Sequence, residues 1–465
     1  MSQHHGIGDL YASALCTYGH ERQHGDRFGR MFPELPALYT TPQVLRDIGR
    51  ANGPMRAAAN AAKTKKVAVG QVFFGQFIDH DITLDIESSV SRINEPSEIA
   101  NARTPTLDLD CVYGSGPETQ PYLYVSGDPT ADPFVGAKML VGGSGVLAGL
   151  DVQRNGEGVA MIGDFRNDEN RIVSQIQLGM IKVHNKFCDE INGAEGLAGK
   201  ELYEAARRAT TFHYQWTVLH DFLPAMCGEH VVEDILCHGR RWYKPKYDDP
   251  FMPVEFSVAA YRFGHSMAPL RLQIRAGGAP QQLFNGNLGA FEPVADILEV
   301  VEWPEVFKIG GNTWQRAEKL DAKLASILLD LPFVNGPPEE TSLATRNLRR
   351  GQSFLLPAGE TVAEAMEVDP ADIDKVTKAA RKVHKALDGC TPLWLYCLLE
   401  GAVLGRGGKH ADLGEGLGPV GGRIVAEVII GLMECDSRSM LGSDRAWLPE
   451  ADRETIGELL EWGAT

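Results

Sequence analysis

The chain has no apolar run long enough to cross a bilayer. Its longest candidate, Ile424 to Met433, contains Glu427, and a helical span needs about 20 predominantly apolar residues. It also lacks a basic stripe. Acidic residues number 62 against 45 Lys and Arg, for a formal charge of -17. That balance argues against a nucleic-acid partner, whose phosphates need a basic footprint. The eight cysteines, Cys16, Cys111, Cys188, Cys227, Cys237, Cys390, Cys397 and Cys435, include no C-x-x-C pair. The spacing therefore offers no zinc site, and Cys188 and Cys397, in apolar helical patterns, read as small core residues. No Ser/Pro-rich linker, low-complexity tract or internal repeat divides the chain. The N-terminal Met-Ser-Gln-His-His-Gly-Ile-Gly-Asp shows neither a basic n-region nor an apolar h-region. No secretory signal is visible, and the expected location is cytoplasmic, with export by a signal-less route left open. Strand signals are sparse and short.

What is present is helical periodicity. With 43% hydrophobic and 23% charged residues, the composition is that of a soluble globular protein. The length prior allows about three domains, but without a linker the chain reads as one large, mainly α-helical domain with long ordered loops. Its parts are an N-terminal extension (1–27), a core (28–441) and a C-terminal helix (442–465). Ile172, Ile176, Met180, Val183 and Phe187 predict a long amphipathic helix from about Asn167 to Ile191. Further helices are predicted over Glu201 to Asp221, Val254 to Met267, Asp372 to Leu387 and Ile424 to Met433. A last one runs over Trp447 to Trp462, with Pro449 in its first turn. Gly/Pro-rich loops separate them, and long loops in a compact domain tend to be functional or well tied down.

Five polar constellations interrupt this pattern. Gly75-Gln76-Phe77-Ile78-Asp79-His80-Asp81 packs an amide, an imidazole and two carboxylates into apolar company, where burial without partners is costly. On a helix Gln76 and His80 share a face, Asp79 edges it, and Asp81 points elsewhere. Thr104, Thr106, Asp108 and Asp110 alternate oxygen-bearing side chains along one side of a loop. With Asp81 they suit Ca2+, although a solvated turn has the same letters. Arg166 and Glu169 lie three apart before the long helix, as a reactive pair or an ordinary ion pair. In Tyr261-Arg262-Phe263-Gly264-His265, the glycine leaves room beside His265 for something flat or bulky, or serves helix packing. In Thr345-Arg346-Asn347-Leu348-Arg349-Arg350, Asn347 has the chemistry to orient a histidine and the arginines to pair with anions; otherwise this is a polar loop.

Taken together, in order and spacing, the five segments resemble the animal-type heme peroxidase superfamily, the peroxidase–cyclooxygenase group that includes myeloperoxidase, lactoperoxidase and cyclooxygenase. The resemblance runs from about Phe28 to Leu441 and includes the interval from Arg166 to His184-Asn185. It implies heme b and Ca2+ as cofactors. The implied activity is an H2O2-dependent peroxidase that oxidises small anionic or aromatic donors through a ferryl intermediate. By position, His80 matches the distal histidine, Gln76 its pocket neighbour and Arg166 the catalytic arginine. His265 matches the proximal iron ligand, with Asn347 accepting from its other nitrogen. Asp79 and Glu169 match the carboxylates that become ester-linked to heme. Arg262 and Arg350 are similar to propionate contacts. Asp81, Thr104, Thr106, Asp108 and Asp110 match the calcium site.

The chain also departs from that pattern. Where myeloperoxidase has a methionine after the ester glutamate, this sequence has Asn170, so no sulfonium link forms. The resemblance then implies oxidation of iodide, bromide or thiocyanate and poor oxidation of chloride. A fatty-acid dioxygenase of the same superfamily is the nearest rival. Those enzymes place a radical-forming tyrosine where this chain has Arg262, and Tyr261, one residue earlier, reads as packing. A non-heme hydrolase using Asp79, His80, Asp81 and Asp85 would spread its ligands over several helix faces. A heme-free scaffold would not need the distal and proximal residues. Oligomeric state is not legible.

Overall fold

The computed structural model describes residues 27–85, 88, 92–246, 249–289 and 291–465, so the predicted N-terminal extension lies outside them apart from Arg27. Helix accounts for about 49% of the structure and strand for 8%, and the strands are short two-stranded pairs. The mainly helical class expected from the sequence is what forms.

Strand β1 (Lys63–Ala68) leads directly into helix α1 (Val69–Ile82). Twelve of the fourteen α1 residues are buried, as expected of a helix that is apolar on nearly every side. Gly70 lets α1 pack close against its surroundings: a Cβ there would sit 2.6 Å from the Phe307 ring. Helix α2 (Arg171–Glu195) starts later than the periodicity suggested. A 3-10 turn over Phe165–Asp168 precedes it, and Asn170 caps it by accepting from Val173 N at 3.1 Å. That satisfies one of the four free N–H groups of the first turn. Gly196, at φ 70, ends it in the left-handed region that glycine tolerates. Helix α3 (Gly199–Thr217) packs along α2 and runs on through a π turn over Val218–Phe222.

The helix expected over Val254 to Met267 is not continuous. A π turn (Glu255–Ala259) and a 3-10 turn (Ala260–Phe263) precede the short α4 (Gly264–Met267). The break falls at Ala259, at φ -125 and ψ -81. Fully buried Glu255 anchors the segment by accepting from Met31 N and Phe32 N, a tertiary contact that periodicity does not report. Strand β2 (Arg316–Glu318) pairs antiparallel with β1. Helix α5 (Leu343–Ser353) follows. Helix α6 (Pro370–Val383) is the predicted surface helix and buries only Ile373, Val376 and Ala380. Helices α7 (Leu393–Val403) and α8 (Pro419–Cys435) are buried along most of their length. The last helix, α9 (Ile456–Ala464), begins after Pro449 rather than around it. Thr455 and Glu458 form a reciprocal capping box, a stronger start signal than a first-turn proline.

One connected cluster of buried apolar side chains extends from Phe28 to Leu460. Helix α1 lies inside it, against α2 and α4. The polar turn around Gln76, Asp79 and His80 is therefore held within the core. Of the cysteines, Cys111, Cys188, Cys227 and Cys397 are buried and form no disulfide among the described residues, and Cys435 is buried as well. No described helix is long and apolar enough to cross a membrane.

Candidate active site

A cavity of about 400 Å3 opens between α1, the turn before α2, α4 and α5, within the size range of cofactor and ligand sites. Gln76, Asp79 and His80 line it from α1, Arg166 and Glu169 from the turn, Arg262 and His265 from the α4 segment, and Asn347 and Arg350 from α5. Four of the five constellations thus meet in one space. A larger, more open groove of about 710 Å3 beside Lys182, Trp303 and Leu460 contains none of them.

His80 is buried, with Nδ1 2.7 Å from Asn167 Oδ1. Asn167 is in turn fixed by donating to Gln177 Oε1 at 2.8 Å. A carbonyl oxygen can only accept, so Nδ1 carries the ring proton and Nε2 keeps a lone pair. Burial, reinforced by Arg166, pushes the His80 pKa down to about 4, so the ring is neutral at pH 7. The guanidinium of Arg166 pairs with Asp164 at 2.7 Å. It also donates to the backbone oxygens of His80 at 3.1 Å and Thr83 at 2.7 Å. Its Nη1 has no partner among the described residues. The i,i+3 ion pair with Glu169 that the sequence allowed does not form.

Glu169 instead accepts from Gln76 Nε2 at 3.2 Å, and Gln76 Oε1 accepts from Asn170 at 3.1 Å. Burial raises the Glu169 pKa to about 7. Asp79 lines the cavity and accepts from Thr83 Oγ1 at 3.0 Å. On the α4 side, His265 Nδ1 lies 2.8 Å from the side-chain amide of Asn347. The amide nitrogen faces the ring in this arrangement. Turned over, which leaves the heavy-atom outline almost unchanged, its oxygen accepts the Nδ1 proton and frees Nε2 for a metal. Burial, then Arg262 and Arg346, lowers the His265 pKa to about 3, which favours the neutral, ligating form. Arg262 donates through Nε to Ser257 O at 3.0 Å. Arg350 is tied to Asp85 and to Ser88 Oγ, and its Nε is buried without a hydrogen-bond partner. Tyr261 donates to Gly75 O at 3.1 Å and packs on Phe256, in keeping with a packing role.

The remaining constellation sits behind α1. Asp81 turns away from the cavity, as its helical position required. Its carboxylate lies with those of Asp108 and Asp110, with one oxygen of each within 4.8 Å of the others. Thr104 Oγ1 donates to Asp108 at 3.2 Å and to Asp110 at 3.4 Å. Asp81 Oδ1 and Thr106 Oγ1 are buried with no hydrogen-bond partner. Burial, then Asp110 and Asp108, raises the Asp81 pKa, and burial raises that of Asp110 to about 7. Clustered carboxylates with orphaned oxygens fit a hard divalent cation.

Asp164 and Asn167 were not singled out from the sequence, and Arg346 was read only as one of several arginines able to pair with anions. Asp164 joins Arg166 to Arg103 at 2.7 Å, and Arg103 reaches Asp110 at 3.4 Å. The two sites are thereby linked. Asp164 and Asn167 flank Arg166 in the sequence, and that adjacency was the available signal.

The sequence pattern of the animal haem peroxidase family matches residues 86–378. The chain belongs to the animal haem peroxidase family. Membership implies a heme cofactor and an oxidoreductase. The matched span includes Arg166, His265 and Asn347, whereas His80 lies before it and joins them through the geometry. Dual oxidase 1 of Caenorhabditis elegans is 24% identical over 318 residues, 63% of this chain and 20% of that protein. The chain thus spans one-fifth of that relative's length. Peroxidase A from Dictyostelium discoideum shares the fold with a TM-score of 0.61 at 15% identity, covering 94% of this chain and 93% of that one. A fatty acid alpha-dioxygenase of Arabidopsis thaliana does so with a TM-score of 0.60 at 16% identity, covering 93% and 74%. At these identities the likeness concerns the fold.

Proposed function

We propose that this protein is a peroxidase that uses H2O2 to oxidise small donors: iodide, bromide, thiocyanate and phenol-like compounds. One observation carries the reading. A neutral imidazole, His80, presents a free Nε2 to the same cavity that a second imidazole, His265, enters on an asparagine tether.

The cavity residues fit a heme. His265 would hold the iron, Arg262 and Arg350 the propionates, and Asp79 and Glu169 would supply ester links to the ring. Bound heme supplies the redox chemistry, tuned by its axial ligand. The chain's own residues handle the proton and the charge. His80 Nε2 would take a proton from one oxygen of the peroxide and return it to the other, as general base and then general acid. The cationic fork of Arg166, oriented by Asp164, stabilises negative charge on the departing oxygen. Because the Nδ1 proton is committed to Asn167, the ring needs no tautomer change to begin. Asp81, Thr104, Thr106, Asp108 and Asp110 would hold Ca2+. Asn170 bonds to Gln76 and offers no sulfur for a third heme link, which goes with weak chloride oxidation.

Absorption spectra of the purified protein with and without H2O2 test the proposal. A Soret band that shifts on adding peroxide is the expected result. His80→Ala should keep the band and slow the reaction with peroxide by about 10²–10⁴-fold. A protein without a Soret band, or a variant that reacts as fast as wild type, would refute it. Oxygen uptake with linoleate and no oxidation of iodide or guaiacol would favour the fatty-acid dioxygenase instead. Acidic organic solvent should leave the heme on the polypeptide, and clean extraction would show Asp79 and Glu169 unlinked.

A further inference from the structure

We propose that Arg346 is a carboxylate receptor in the mouth of the cavity, so that the preferred electron donor is an organic acid with an apolar or aromatic body. This rests on the peroxidase reading and adds the donor class.

Four arginines line the cavity. Arg166 is held by Asp164, Arg350 by Asp85 and Ser88, and Arg262 by the Ser257 carbonyl. Arg346 differs: among the described residues its side chain makes no hydrogen bond and no ion pair. Arg346, Asn347 and Arg350 lie three, four and seven positions after Leu343, so the four share the cavity face of α5. The Arg346 guanidinium is near enough to act on Glu169 and His265 electrostatically, yet Glu169 is not within ion-pair distance. In a protein with 62 acidic residues, an arginine lining the cavity has been left without one.

Part of the wall of the same cavity is apolar. The rings of Phe284 and Phe333 meet edge to face, 5.1 Å apart at 84°, and Phe333 is 44% exposed. Leu283, Leu331 and Leu343 complete this side. The Arg fork matches a carboxylate in two parallel hydrogen bonds, and aromatic edges and faces suit a planar ring. A halide could pair with the guanidinium but would leave the apolar wall unused. A phenolic acid would use both, with the carboxylate as a handle and the phenol as the group oxidised. The balance closes with H2O2 as oxidant: two phenols each give up one electron and one proton, leaving two phenoxyl radicals, and the peroxide becomes two waters.

The test uses the heme-loaded enzyme with H2O2 and a matched pair of donors, 4-hydroxyphenylpropionate and its neutral amide. Wild type should favour the acid roughly tenfold in kcat/KM, the scale of one charged hydrogen-bonding pair at a partly exposed site. The preference should shrink with added salt. Arg346→Gln should bring the acid-to-amide ratio to about one, and Arg346→Lys should leave it in between. Heme per chain, read from the Soret band, should match wild type in both variants. Equal use of acid and amide by wild type would overturn the proposal. So would an Arg346→Gln variant that keeps the preference. Loss of heme from that variant would also overturn it, because Arg346 would then be holding the cofactor's own carboxylates. A wild type that oxidises neither phenol nor iodide with H2O2 would sink the peroxidase reading itself, and this proposal with it.

Discussion

His80 and Arg166 owe their chemistry to partners that the motifs do not name. Asn167 fixes the proton on His80 Nδ1, and Asp164 aims Arg166. If Asn167 matters through the tautomer, Asn167→Leu, similar in shape but without an acceptor, should slow the reaction with H2O2. The loss should be about 10–100-fold, smaller than that of His80→Ala, because the imidazole stays but is free to rotate and change tautomer. Stopped-flow mixing with peroxide measures this, and an unchanged rate would show that Asn167 is only packing. The letters made His80, Arg166 and His265 legible because each sits in a polar cluster that a core helix or its flank does not otherwise tolerate. Asn167 was not, because it meets His80 across 87 positions of chain. Arg346 was legible only as one of several arginines able to pair with an anion. Its meaning came from the partners its three cavity neighbours have and it lacks.

Helix α1 carries Gln76, Asp79 and His80, and its position depends on small residues as much as on large ones. Gly70 faces the Phe307 ring, which is itself buried at 1% exposure. Gly70→Val should destabilise the fold by about 1–3 kcal/mol, since neither α1 nor a core phenyl ring can move without repacking its neighbours. Denaturant unfolding measures it, and a change under about 0.5 kcal/mol, the scale of surface substitutions, would mean the contact yields freely. Periodicity located α2, α3, α6 and α8 to within a few residues, since a continuous apolar stripe is a local property. It did not find the break at Ala259 or the start of α9. The first is held by Glu255 accepting from Met31 and Phe32, more than 200 positions away. The second is a Thr455–Glu458 capping box, and the proline looked the more obvious signal.

Two buried acidic features should govern how the whole molecule responds to conditions. The cluster of Asp81, Asp108 and Asp110 connects to the distal pocket twice, through the Asp81–His80 peptide link and through Arg103 and Asp164. Ca2+ at 100 times its Kd should raise stability by about 2.7 kcal/mol, the linkage expected of a ligand that binds only the folded state. Chelation should reverse the gain and slow the peroxide reaction in parallel. Thermal unfolding with CaCl2 or EGTA checks this, and curves that superimpose would exclude a tight site. Glu400 in α7 is fully buried, and burial raises its pKa to about 8 although Val420 N and Gly421 N donate to it. With the folded pKa above the unfolded one, the folded state holds the extra proton between them. The contribution from Glu400 is therefore complete below about pH 4.5 and is lost as pH rises through about 8. Glu400→Gln keeps an acceptor for one of the two amides, sets an NH2 against the other and cannot titrate, so it should lower stability but flatten that slope. Unfolding free energies from pH 5 to 9 would show it, and parallel slopes for the two proteins would place the titration elsewhere.

Helix content, the lack of a membrane-crossing helix among the described residues and the polar clusters are local properties of composition and spacing, so the order of residues along the chain was enough to predict them. Which clusters share a cavity is not local. Gln76 reaches Glu169 across 93 positions, and Asn347 reaches His265 across 82. Contacts at that range exist only once the helices have packed around a common core, because packing, rather than spacing, sets which side chains can touch.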